Sequence, residues 1–129
     1  MENLFSILKE NGAKLTSPRK TILEKLYYSV KPLTLKEIYD ECNNIDFASV
    51  YRSLKLFYEI GIVEEINFAD NKIRFELKNR KHHHHVICSE CGEIKELPVC
   101  LLSEIEKITD YKITKHNFEF MGICPKCKK

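Results

Sequence analysis

No apolar run in this 129-residue chain approaches the roughly 20 residues needed to cross a bilayer. A membrane-spanning helix is therefore not expected. Met1-Glu2-Asn3-Leu4-Phe5 has neither the basic start nor the long apolar stretch of a secretory leader, which points to a cytoplasmic protein. Net charge is scarce as well, with 21 Lys and Arg against 19 Asp and Glu, +2 at neutral pH. Bulk positive charge cannot be what attracts nucleic acid, so any such role has to come from architecture. Internal repeats are absent, and the one low-complexity stretch is the run of histidines from His82 to His85. A chain of this size makes one ordinary domain or two small ones. Either half alone buries a thin core, so metal or dimerisation is expected to support the smaller piece.

What the chain does have is cysteine at a telling spacing. Thiols stay reduced in the cytoplasm, so the six cysteines read as metal ligands plus two spares rather than as a disulfide framework. Cys88-Ser89-Glu90-Cys91 and Cys124-Pro125-Lys126-Cys127 are two Cys-x-x-Cys pairs, and together they supply a closed tetrahedral zinc site. No βαβ pattern accompanies them, which argues against a thioredoxin-like redox pair. Cys42 and Cys100 are left over. The four histidines before Cys88 add imidazole ligands, so a second and different metal site is expected beside the first.

Along the chain, residues 4 to 11 read as a short helix that Gly12 ends. Thr16-Ser17-Pro18 starts a second helix, with a hydroxyl cap and a proline in the first turn. Thr34-Leu35-Lys36-Glu37 is a capping box for a third. A polar turn, Asn43 to Asp46, leads to a fourth that buries Val50, Leu54 and Phe57 and is closed by Gly61. The short turn between the third and fourth helices suits a helix-turn-helix. The period then changes to that of strands at 62–66 and 72–77, joined around Asp70-Asn71. Helices followed by a hairpin predict a winged helix-turn-helix. Further on, the pattern predicts strands near 84–88 and 92–97, a helix near 99–109 and a strand near 112–121. The expected class is α+β: a winged-helix domain over 1–78, a hinge over 79–83, and a small α/β domain over 84–129, the piece expected to need metal or dimerisation, with an antiparallel sheet and a Cys₄ zinc site.

Thr16-Ser17-Pro18-Arg19, Ala48-Ser49-Val50-Tyr51-Arg52-Ser53-Leu54, Gly61-Ile62-Val63 and the block from His82 to Gly92 occur in the order seen in the ferric uptake regulator family. The chain resembles that family over nearly its whole length. The last block is the most diagnostic. The resemblance implies a homodimeric, metal-dependent transcriptional repressor with an N-terminal DNA-binding domain, and no enzyme.

Side chains alternate faces along a strand, so His83 and His85 point one way and His82 and His84 the other. One run of histidines can thus serve two sites. The resemblance implies a regulatory metal at Glu76, His83, His85 and Glu96, and a third site at His82, His84 and His116, with Cys100 or Glu104 nearest the place of a further ligand. A departure is also visible: the family often has another histidine ligand before the third helix, where this chain reads Lys31-Pro32-Leu33-Thr34. Iron is the expected regulatory metal, with Zn²⁺, Mn²⁺ and Ni²⁺ also compatible with mixed nitrogen and oxygen ligands. For DNA, the fourth helix is expected in the major groove with Ser49, Tyr51 and Arg52 in its early turns. Lys14 resembles the family's minor-groove lysine, and Arg19 and Lys20 are placed to hold phosphates. The expected partner is a palindromic A/T-rich duplex; neither a membrane nor a small-molecule substrate is expected. Peroxide sensing within the family is the main alternative. The missing histidine near Pro32, and Glu rather than Asp at positions 76 and 96, argue against it. A zinc enzyme is a distant alternative that would leave the helix-turn-helix unexplained.

Overall fold

A computed structural model describes residues 1–78 and 82–128. The first part of the expected hinge, 79–81, lies outside the described residues. The chain forms two compact units, Met1–Ile66 with Lys72–Arg80, and Asn67–Asn71 with Lys81–Lys129.

The first unit holds α1 (Glu2–Glu10), α2 (Ser17–Tyr28), β1 (Leu33–Thr34), α3 (Leu35–Glu41), α4 (Phe47–Glu59), β2 (Val63–Asn67) and β3 (Ile73–Leu77). Its helix boundaries follow from capping chemistry. Thr16 accepts from the Arg19 N–H at the start of α2. At α3 the capping box is complete: Glu37 N–H donates to Thr34 Oγ1 at 3.1 Å and Thr34 N–H donates to Glu37 Oε1 at 2.9 Å. Asp46 caps α4 by accepting from Ser49 N–H. Gly61 ends α4 at φ +83°, a left-handed conformation that side chains disfavour. There Gly61 N–H reaches Tyr58 O at 3.2 Å and Ile62 N–H reaches Phe57 O at 2.8 Å, satisfying carbonyls that the helix end would leave orphaned.

The apolar stripes of these helices meet in one core that includes Leu4, Leu8, Ile22, Leu23, Ile38, Val50, Leu54 and Phe57. Beside it lies a three-stranded sheet in the order β1-β3-β2. β1 goes beyond the sequence pattern, which predicts no strand before the third helix. Leu33 and Thr34 pair antiparallel with Phe75 and Arg74, so the capping threonine of α3 is also a sheet residue.

The second unit is built on β4 (His84–Cys88), flanked by β5 (Ile94–Leu97) and β6 (Phe120–Gly122), with α5 (Leu102–Glu106) in the connection. β5 pairs antiparallel with β4, His85 opposite Glu96 and Ile87 opposite Ile94. β6 lies parallel to β4, Val86 opposite Phe120 and Cys88 opposite Gly122. A parallel neighbour requires a long crossover, and residues 98–119 supply it. α5 is shorter than the pattern over 99–109. Its N-cap, Leu101, offers no side-chain hydrogen bond, and Ile105 and Ile108 are exposed, so neither capping nor a buried face extends it. The last ladder is also shorter than 112–121, beginning only at Phe120; before it, His116, Phe118 and Glu119 meet His82, His84 and His85 through their side chains. Among the described residues no helix is long and apolar enough to cross a membrane.

Candidate metal centres and nucleic-acid face

The sulfur atoms of Cys88, Cys91, Cys124 and Cys127 lie within 4.8 Å of one another. Each pair is local, held by a turn: Gly92 N–H bonds to Cys88 O at 2.9 Å and Cys127 N–H to Cys124 O at 3.0 Å. The two turns meet because β6 runs beside β4. Tetrahedral zinc–thiolate geometry with bonds near 2.3 Å spaces sulfurs by about 3.8 Å, and Cys91 Sγ and Cys124 Sγ stand 3.7 Å apart. The electrostatics also fit a cation. Backbone N–H groups of Cys91, Cys124 and Glu90 each point at Cys88 Sγ from 3.4 Å. Led by those of Cys91 and Cys124, these bonds hold the Cys88 thiol down at about 6 against the pull of burial. Cys127, hydrogen-bonded to the free thiol of Cys124, desolvated and crowded by the other sulfurs, is pushed up to about 12. Without a cation the four sulfurs therefore cannot all be thiolates; Zn²⁺ supplies the charge that permits it.

A second group gathers His82, His84, Cys100 and His116, again within 4.8 Å. His82 Nε2 and His116 Nε2 are 3.0 Å apart, and Cys100 Sγ is 3.4 Å from His116 Nε2. His84 Nε2 is buried with no hydrogen-bond partner among the described residues. Burial holds His84 below the usual histidine value despite a nearby carboxylate, with His82 and His116 adding to the effect, so it is the neutral, ligating form of the ring that this site favours. Two ring nitrogens converging with a thiol and a buried third nitrogen fit a borderline cation such as Zn²⁺. Glu104 is not in this group: it lies in α5, 3.9 Å from Lys107.

On the other side of the histidine run, His83 and His85 have ring centroids 4.7 Å apart, as His82 and His84 have at 4.8 Å. This is the alternation of an extended chain. His83 Nε2 is 3.1 Å from Glu96 Oε1 of β5, a nitrogen and oxygen donor set for a divalent ion. Glu76 is a buried residue of β3 in the first unit.

One carboxylate is missed by the sequence pattern. Glu119 is buried beneath β4, where its Oε2 accepts from the His85 backbone N–H at 2.7 Å and lies 3.1 Å from His85 Nδ1, while Oε1 is 3.5 Å from His84 Nδ1. Burial alone would raise its pKa, but the bonds from His85 and then His84 outweigh this and keep it below the usual carboxylate range. The available signal was a lone charge between Phe118 and Phe120.

In the first unit, α4 turns Tyr51 and Arg52 to solvent, Tyr51 at 52% exposure, which rules out core packing as the reason for a tyrosine there. Arg52 reaches back to Ser49 Oγ at 3.4 Å, and Ser49 Oγ donates to Asp46 at 2.6 Å. Arg19 donates to the Lys14 carbonyl at 2.7 Å, tying down the segment that carries the exposed Lys14; Lys20 is exposed as well.

Comparison with known proteins agrees with this geometry. Residues 10–123 match the model of the ferric uptake regulator family. The peroxide-responsive repressor PerR of Staphylococcus aureus is 35% identical over an alignment that covers 99% of this chain and 91% of that protein. Among solved structures, the Helicobacter pylori ferric uptake regulator, described as having three functional metal-binding sites, superposes with a TM-score of 0.81 at 26% identity, covering 99% of this chain and 91% of that one. The Vibrio cholerae ferric uptake regulator does so at 0.78 and 31%, covering 93% and 98%. The chain belongs to the ferric uptake regulator family of metal-dependent transcriptional regulators.

Proposed function

We infer that this protein is a homodimeric repressor whose affinity for a palindromic A/T-rich operator is set by a divalent metal, with iron the expected one. The observation that carries the reading is the sorting of four adjacent histidines onto two faces, with His83 Nε2 3.1 Å from Glu96 Oε1 and His82 and His84 gathered with Cys100 and His116. Three roles follow. Cys88, Cys91, Cys124 and Cys127 hold a structural zinc that closes the second unit. Glu76, His83, His85 and Glu96 are the residues that would hold the regulatory ion, which would supply the positive charge that binds carboxylates and imidazoles. Its occupancy selects the conformer in which two α4 helices match two half-sites. Lys14, Arg19, Lys20, Ser49, Tyr51 and Arg52 make the DNA contacts. The exposed apolar residues of the second unit, among them Val99, Leu101, Ile108, Tyr111 and Ile123, are suited to a second copy of the chain.

The test is anaerobic DNA binding titrated separately with Fe²⁺, Mn²⁺, Zn²⁺ and Ni²⁺, with metal content measured in parallel. His83→Ala should abolish metal-dependent DNA binding while the protein stays folded. DNA binding that ignores added metal would overturn the reading. The similarity to a peroxide-responsive repressor favours a second one, in which iron-loaded protein loses DNA binding on oxidation of a ligand histidine. Mass spectrometry of peroxide-treated, iron-loaded protein separates them: added oxygen on His83 or His85 supports peroxide sensing, and unmodified rings support metal sensing alone.

A further inference from the structure

Glu119 is itself in neither histidine group, yet it touches a histidine of each. His84 and His85 are consecutive residues of β4, so their rings leave the strand on opposite faces. By the reading above they serve different metal ions, and the present inference rests on that reading. Both rings nevertheless meet the same carboxylate through Nδ1, His85 at 3.1 Å from Oε2 and His84 at 3.5 Å from Oε1. A third bond, from the His85 backbone N–H to Oε2 at 2.7 Å, anchors Glu119 to the strand itself.

The carboxylate can only accept. A ring that donates to it from Nδ1 carries its proton there and has its lone pair on Nε2, the atom left for a metal. For His84 this is the atom that is buried without a hydrogen-bond partner among the described residues, and His84 stands in the group with His82, Cys100 and His116. Carboxylates behind histidine ligands orient the ring and raise its basicity. Here a single carboxylate stands behind two rings that face two sites.

We propose that Glu119 is a shared positioning residue that couples the site of His82, His84, Cys100 and His116 to the site of His83, His85 and Glu96. The Oε2 contacts are short and doubled, whereas the Oε1 contact is long. A cation on His84 Nε2 makes its Nδ1–H a stronger donor, draws Oε1 in, and immobilises a carboxylate that is already anchored to His85. The His85 ring is thereby ordered before its own ion arrives. The coupling is reciprocal, as any equilibrium coupling must be.

The full-length protein, with zinc retained in its Cys₄ site, can be titrated with Co²⁺. The thiolate-to-cobalt absorption band reports the site containing Cys100, and chelator competition gives the affinity of each step. Cys100→Ser and His116→Ala should lose that band while His83→Ala keeps it. A band that survives both first substitutions would refute the reading of the Cys100 site, and the proposal with it. With that reading upheld, Glu119→Gln tests the proposal itself. A glutamine amide accepts from His85 but presents its NH₂ to His84 Nδ1, so it serves only one ring. The expected result is a loss of about 10- to 100-fold in affinity at the Cys100 site. A smaller loss is expected at the other site. The wild-type tightening of one site by occupancy of the other, about 5-fold or more, should vanish. Unchanged affinity at the Cys100 site, no coupling in the wild type, or coupling that persists in Glu119→Gln would overturn it. If Glu119→Gln does not fold, long-range ¹H–¹⁵N spectra of zinc-loaded wild type decide: both His84 and His85 protonated at Nδ1 supports the proposal, and either ring protonated at Nε2 refutes it.

Discussion

Replacing Cys88 by serine should unfold the second unit and leave the first intact, because the two units are held by different forces. The first has the continuous core around Phe57, Ile38, Leu23 and Leu8. In the second, the buried apolar side chains among the described residues are Phe68, Ile87 and Cys88 itself. Fully burying Phe68 and Ile87 is worth about 1.5–3 kcal/mol each, so roughly 3–6 kcal/mol together, against a backbone ordering cost of about 1–2 kcal/mol for every residue fixed. A structural zinc site contributes about 10–16 kcal/mol of apparent binding free energy, which makes the metal the dominant local term. Cys88 is also the sulfur to which the Glu90, Cys91 and Cys124 N–H groups converge, so its replacement removes a thiolate ligand and leaves those three donors only a neutral hydroxyl oxygen as acceptor. Zinc release followed by a colorimetric chelator, alongside far-UV circular dichroism on heating, measures both consequences. The expected result is a zinc-free protein that shows only the helical melt of the first unit. Equal zinc content and one coincident transition in Cys88→Ser and wild type would refute the reasoning.

Glu37 of the capping box gives a pH signature. Burial would raise its pKa, but bonds to Thr34 and the nearby Lys31 bring it below the ordinary 4.5. A depressed folded value means that its contribution is present above 4.5 and is lost as pH falls through the lower folded value. Glu37→Gln should therefore flatten the acid limb of first-unit stability below pH 4.5 and match the wild type more closely there than at pH 7; equal losses at both pH values would count against this. Thr34→Ala removes the other half of the box and should cost about 1 kcal/mol, seen as a lower first-unit melting temperature. Arg52→Ala should weaken operator binding by about 1–3 kcal/mol and relax discrimination at one base position, whereas Lys14→Ala should weaken all sequences alike and reduce the salt slope by about 1, both read by competition binding at several salt concentrations. Cys100→Ser should lower metal stoichiometry by one site while Glu104→Gln leaves it unchanged, as measured by elemental analysis after desalting.

Local signals in this chain are strong where the physics is local. The hydroxyl caps at Thr16 and Thr34, the carboxylate cap at Asp46 and the glycine after α4 act over three or four residues, and the helices begin and end beside them. The weak places are those without such signals. α5 has no cap and no buried face, so its apolar periodicity over 99–109 overstates its length. β1 is two residues long and exists only because β3 is there to pair with it.

The chain itself determines which chemistry is present: two thiolate pairs each closed by one turn, and histidines whose alternation on a strand divides them between two faces. Tertiary structure decides which of these groups meet. The parallel register of β6 beside β4, reached through the long 98–119 crossover, carries Cys124 and Cys127 to Cys88 and Cys91. It also brings His116 to His82, and Glu119 beneath His84 and His85. The crossover selects Cys100 over Glu104 by placing one against His116 and the other on an outward face of α5. Spacing in sequence cannot report these meetings, because the register of a parallel pair joined by a long crossover is set by the packing of the whole sheet and not by the residues of the connection.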